Sequence, residues 1–188
     1  MQLTFTFNQK KSTQAGAYLL KANKGYMDKY LWIKMLYLSD REALKKWNDP
    51  ITGDAPVSMP YGPALSAIYD LTKGDCQSLR DYWGKFISNS NDETNQICLI
   101  KDPGTAELSR AEIQILQSVF NKFSKYTWKQ MRDYCHRLPE YEDVGEGSKP
   151  LHIDKILKVL GKTSAEIHEF QEMYKGIHMA ELLLSRSN

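Results

Sequence analysis

Few residues in this chain have the types and spacing that chemistry requires, and each has a plain structural reading beside it. Cys135 and His136 are adjacent, a thiol next to an imidazole. A thiolate–imidazole nucleophile needs the two side chains to face each other, and neighbours on a helix point about 100° apart. Catalysis is not expected of this pair. Asp40, Glu42 and Asp54 offer hard oxygens that could hold a divalent cation. They lack a metal-ligand spacing, and Arg41 competes for the carboxylates, so neither a metal nor a cofactor is expected. Asp40 and Arg41 read in two ways. A guanidinium can grip a carboxylate with two hydrogen bonds and tie a loop to a helix, or the pair can face a partner. Cys76, Cys98 and Cys135 form no CxxC pair and no zinc pattern; reduced thiols and a cytoplasmic protein are the expectation. The chain carries no P-loop, HExxH or GxSxG motif, and it is not expected to be an enzyme.

The elements that must position these residues are mostly helical. From Leu31 to Leu38 apolar side chains occupy seven of eight positions, pointing in nearly every direction around a helix axis. A helix apolar all round must be covered on all sides, so this stretch is expected to be a buried central strut, surfacing after Leu38. Asp28 is placed to cap its first turn. A further helix is expected from Ser12 or Thr13 to Asn23. Leu3 to Phe7 alternates with period two, as a short strand or as a loose start with two aromatics packed elsewhere.

Past the strut, Pro50, Pro56, Pro60 and Pro63 fix φ and remove donors, while Gly53 and Gly62 allow dihedrals other residues avoid. The segment is either a rigid connector, built as a small hairpin or as irregular extended segments, or a preformed recognition loop. Pro63 is expected near the first position of a helix ending at Gly74, with another helix from Asp75 to about Trp83. Phe86–Ser88 and Gln96–Ile100 read as a β-hairpin around a turn at 89–92, or the polar stretch 88–96 is a mobile loop. Ser109–Glu112, Thr127–Gln130 and Thr163–Glu166 are capping boxes. Ile113, Leu116, Phe120 and Phe123 follow the first as an apolar stripe, and Pro139 ends the helix opened by the second. Residues 141–150 are apolar-poor and read as a linker or an exposed loop. The predicted fold is mainly α: a compact helical domain around a buried central helix, with a small β-hairpin insertion.

The residues in this middle stretch carry a resemblance. Lys34-Met35-Leu36-Tyr37-Leu38-Ser39-Asp40-Arg41-Glu42, Pro50-Ile51-Thr52-Gly53-Asp54, Met59-Pro60-Tyr61-Gly62-Pro63 and Ala67-Ile68-Tyr69-Asp70-Leu71 resemble, in order, spacing and type, the Panacea domain. This is the antitoxin domain of SocA-like proteins in bacterial and phage toxin–antitoxin systems. A weaker likeness runs through Leu108–Glu112 to His136, so the resemblance covers about 12–141. It implies a helical domain that neutralises a cognate protein toxin by direct contact. Asp40, Arg41, Asp54, Met59 and Tyr61 fall on its motif and are candidates for the toxin-facing surface, since Tyr and Arg recur at interface hot spots and Met adapts to a partner. Gly53, Gly62, Pro63 and His136 are candidates for building the motif. The resemblance says little of residues 142–188, which are expected to form a helical extension packed on a 1–141 domain.

Charge bears on the alternatives. The 188 residues carry a formal net charge of +2. Residues 153–174 could pass for a helix-turn-helix, but 149–188 hold six Lys/Arg against five Asp/Glu. A DNA reader needs a basic stripe. An autorepressor is thus the lesser reading, beside a phage-associated interaction protein of other purpose, and no nucleic-acid partner is expected. No segment approaches the ~20 apolar residues of a membrane span, and no leader pattern opens the chain.

Overall fold

A computed structural model describes residues 3–74, 82–88 and 94–185. The fold is mainly α, with helices α1 (Gln9–Ala22), α2 (Lys29–Trp47), α3 (Ser66–Lys73), α4 (Arg110–Phe123), α5 (Trp128–His136), α6 (Ile153–Val159) and α7 (Ser164–Ser185). Strands β1 (Tyr26–Asp28) and β4 (Gln96–Cys98) pair antiparallel. Strands β2 (Pro56–Ser58), β3 (Ala64–Leu65) and β5 (Lys149–Pro150) make a second sheet in the order β3-β2-β5.

Helix α2 is the strut. Asp28 accepts the amide of Leu31 at 3.0 Å, closing the helix start. Residues 32–40 are all buried, because α2 packs against α1, α3, α4, α5 and α6. Asn48, in a left-handed conformation at φ 64°, ends it. Helix α1 lies close enough that a Cβ on Gly16 would stand 2.5 Å from the Trp32 ring, and the Trp32 indole donates to Gly16 O at 3.0 Å. Only glycine permits that approach.

Several expectations are revised by contacts distant in sequence. Helix α1 starts at Gln9, capped by Asn8, while Ser12 and Thr13 bond back to the carbonyls of Asn8 and Gln9. Residues 3–7 form no strand. They cross Gly53 as a strap: Leu3 is buried, Phe5 packs edge-on against Tyr174 at 4.8 Å, and the Asn8 amide donates to Thr52 O at 2.9 Å. Pro63 does not open α3, which begins three residues later because Ala64–Leu65 first pairs with β2. The expected 86–100 hairpin is present as the bridge Ile87–Leu99 beside β4, widened by β1. Its turn, and the helix expected from Asp75, lie outside the described residues. The segment read as a linker ends in β5, whose residues pair with Val57 and Ser58. On α4 the buried face is Ile115, Leu116, Val119 and Phe123, with Ile113 and Phe120 half-buried. All three capping boxes place their hydroxyl and N3 side chains reciprocally on backbone amides.

Candidate partner-binding surface

The five motif residues divide between interior and surface. Asp40 is buried at 4 % exposure. Its Oδ1 accepts the amides of Ile51 and Thr52, each at 3.0 Å, and its Oδ2 accepts the Thr52 hydroxyl. Burial pushes its carboxyl up to about 7, against which the bonds from Thr52 pull downward. Asp54, also buried, accepts the amides of Ala55 (2.7 Å), Ala67 (3.0 Å) and Ile68 (2.9 Å). Leu65 has no capping side chain, so Asp54 caps α3 from across the loop. Its pKa is raised, chiefly by burial.

Arg41 does not grip Asp40. Its guanidinium forks onto Glu140, from Nε to Oε1 and from Nη2 to Oε2, the latter at 3.2 Å. Glu140 is wholly buried and also accepts the Tyr37 hydroxyl at 3.0 Å. Burial first, and the carboxylate second, raise the Tyr37 pKa well above its ordinary value.

Tyr61 is exposed and Met59 half-buried, both on a turn held from behind. Five consecutive carbonyls, Met59 to Pro63, each accept a side-chain hydrogen bond. The Tyr141 hydroxyl stands 3.1 Å from Met59 O and 3.3 Å from Pro60 O. His136 Nε2 lies 3.1 Å from Pro60 O, which can only accept, so Nε2 carries the proton. The Tyr30 hydroxyl donates to Tyr61 O at 2.6 Å. Lys34 Nζ donates to Gly62 O and Pro63 O, both at 2.7 Å. Gly62 has φ +99°, and a Cβ there would lie 2.7 Å from the Cys135 Cβ. The turn therefore packs on the strut and on α5 with no room for a larger residue.

This bracing explains the buried Lys34, the Cys135 thiol and the adjacent His136. Lys34 sits inside the strut, and burial lowers its pKa to about 8. Cys135 is buried against Gly62, and desolvation lifts its thiol to about 11. His136 turns the other way, stacked on Tyr141 at 4.6 Å. The two side chains thus serve different neighbours. Among the described residues no three His, Cys, Asp or Glu side chains gather as a metal site would need.

In front of the turn is a groove of about 900 Å³, bordered by Tyr30, Met59, Tyr61, Tyr69, Lys73 and Trp128. Tyr61 is 59 % exposed and Trp128 47 %. Exposed large aromatics gathered on one concave face are unusual for a surface with no partner. Sequence reasoning singled out neither Trp128 nor the bracing residues Tyr30, Lys34 and Tyr141. Lys34 did leave a signal: one cation amid an all-round apolar run needs an internal acceptor.

Fold and surface together define a helical domain that displays a braced aromatic turn. The family model described as "Antitoxin SocA-like, Panacea domain" matches residues 33–141, more than half of the chain. The chain belongs to this SocA-like antitoxin family. No curated protein and no solved structure matches it. The matched span begins in α2 and ends on Tyr141, so it contains the whole turn and, apart from Tyr30, the side chains that brace it. No helix among the described residues is long and apolar enough to cross a membrane.

Proposed function

We propose that the protein is an antitoxin that neutralises a cognate protein toxin by direct contact through the surface centred on Tyr61. Family membership supports the role, and the observation that carries the placement is the braced turn. A turn whose five carbonyls are already engaged loses little conformational entropy when a partner binds, so its side chains are preorganised. Met59 and Tyr61 make the contact, joined by Trp128. Asp40 and Asp54 act from behind, holding the loop and the start of α3 in place, while Arg41 ties Glu140 to the strut. Residues 142–188 serve as a helical extension of the domain.

The test is growth rescue. The gene neighbouring this one is expressed in a bacterial host alone, with the wild type, and with Tyr61→Ala/Trp128→Ala. Both positions are exposed, so the variant is expected to keep the wild-type circular dichroism and melting temperature. Rescue by the wild type and its loss in the folded variant support the reading. A truncated hot-spot aromatic typically costs 2 kcal/mol or more, about a thirtyfold loss in affinity. Full rescue by the variant removes the contact from this surface, and a harmful neighbour that the wild type does not relieve sinks the antitoxin role for that pair.

A further inference from the structure

The groove beside Tyr61 has a sign. Three helices, α2, α3 and α5, begin at its wall, with Lys29, Ser66 and Trp128 as their first residues. Each carries an aromatic ring and a cation one turn further on. Lys34 lies 5.1 Å from the Tyr30 ring, Lys73 4.2 Å from Tyr69, and Arg132 5.4 Å from Trp128, with Lys129 5.8 Å from the same ring. At i,i+4 spacing such pairs share one helix face, so the cations stand where the aromatics do.

Among the described residues the nearby carboxylates offset only part of this charge: Arg132 is paired with Asp133, and Asp28 and Asp70 stand in the groove wall, which leaves Lys73 and Lys129 as the cations over the rings. Lys73 is exposed, as is Lys129, and both stand over rings without an ion pair among the described residues. The positive ends of three helix dipoles add to the field, though Asp28 and Asp54 offset the first two.

We propose that the groove between Tyr61, Trp128 and Lys73 receives an extended acidic peptide segment of the partner, with an apolar or aromatic anchor side chain flanked by carboxylates. This rests on the reading of the surface as the partner-binding face and names the chemistry it selects. A volume of about 900 Å³ is at the upper end of ordinary ligand pockets, room for several side chains. The anchor packs against Tyr61 and Trp128, and its neighbouring carboxylates meet Lys73 and Lys129. The Lys34 ammonium stays with the turn, since its acceptors are two carbonyls. Charge complementarity of this kind sets association rate and partner choice more than final affinity.

The test needs no knowledge of the toxin. Fluorescein-labelled twelve-residue peptides with a central Leu-Trp are titrated with the full chain by fluorescence anisotropy. One is rich in Asp and Glu, one has Asn and Gln at those positions, and one has Lys. A twelve-nucleotide single-stranded DNA is the fourth probe. The acidic peptide is expected to bind at least tenfold tighter than its neutral isostere, and to weaken as salt rises. Lys73→Glu/Lys129→Glu should remove that difference, while Lys125→Glu, a charge reversal on the loop after α4, should not. Equal binding of the neutral peptide, tighter binding of the Lys peptide, or no peptide binding up to millimolar concentration would overturn the proposal. So would tighter binding of the oligonucleotide, which would make the groove a phosphate reader. None of these results touches the rescue assay, so the antitoxin reading can stand while the acidic-segment inference falls.

Discussion

Asp40 holds the start of the proline-rich loop by accepting two amides and a hydroxyl, yet burial makes its charge unfavourable. The sign of its pH effect follows from the raised pKa, about 7 against an ordinary 3.8. Between those values the folded chain binds more protons at this site than the unfolded one. Stability from this group therefore falls as pH rises from about 4 to about 7 and then levels off. In Asp40→Asn the oxygen still accepts both amides, and the new amide group donates to the Thr52 hydroxyl, with no charge to bury. Urea midpoints measured from pH 4 to 8 should show the wild type losing ground to Asp40→Asn across that window. Asp40→Ala should instead lose about 1–3 kcal/mol at every pH, because two buried amides are left unpaired. Parallel curves for wild type and Asp40→Asn would mean that the carboxyl titrates normally.

At the scale of elements, what could be read from the sequence was whatever is local. The strut is visible because apolar residues on all sides of a helix need cover. Asp28 and the three capping boxes are visible because a cap and its amide lie within four residues of each other. The start of α3 was misplaced to Pro63 because its cap, Asp54, lies 13 and 14 residues before the amides it accepts. The strap was missed for the same reason: Thr6 meets Gly53 only once α1 and the loop are in place. Gly53 lies at φ +68°, and a Cβ there would stand 2.1 Å from the carbonyl oxygen of Thr6. Gly53→Ala is therefore expected to displace the strap as well as to strain the backbone by about 1–2 kcal/mol. Hydrogen exchange reads this directly. The Asn8 amide, bonded to Thr52 O in the wild type, should exchange at least tenfold faster, while amides in the middle of α2 slow or quicken only with global stability. An Asn8 amide as protected as in the wild type would show that the strap shifts aside without detaching.

The whole molecule is tied by contacts that join its ends to its middle. Glu140, about a hundred residues from Tyr37 and Arg41, is buried between them. The candidate site was legible in part on the same grounds. Met59 and Tyr61 stood out as a motif, but the braces His136 and Tyr141 reach the turn from about 80 residues away, and Trp128 joins the groove only through the packing of α5 on α2. The same long-range logic bears on residues 142–188. Strand β5 pairs with β2, directly behind the turn, and α6 packs on α2. Leu151, Ile153, Ile156, Leu157 and Ile167 are all buried. At about 1.5–3 kcal/mol for each fully buried aliphatic side chain, their removal would cost roughly 7–15 kcal/mol as an upper bound. A typical domain has about 5–15 kcal/mol in total. A fragment 1–141, though it contains the entire family match, is therefore expected to show no cooperative thermal transition by circular dichroism and to fail in the rescue assay. A fragment that melts cooperatively within a few degrees of the full chain would show instead that the extension packs on a core already complete without it.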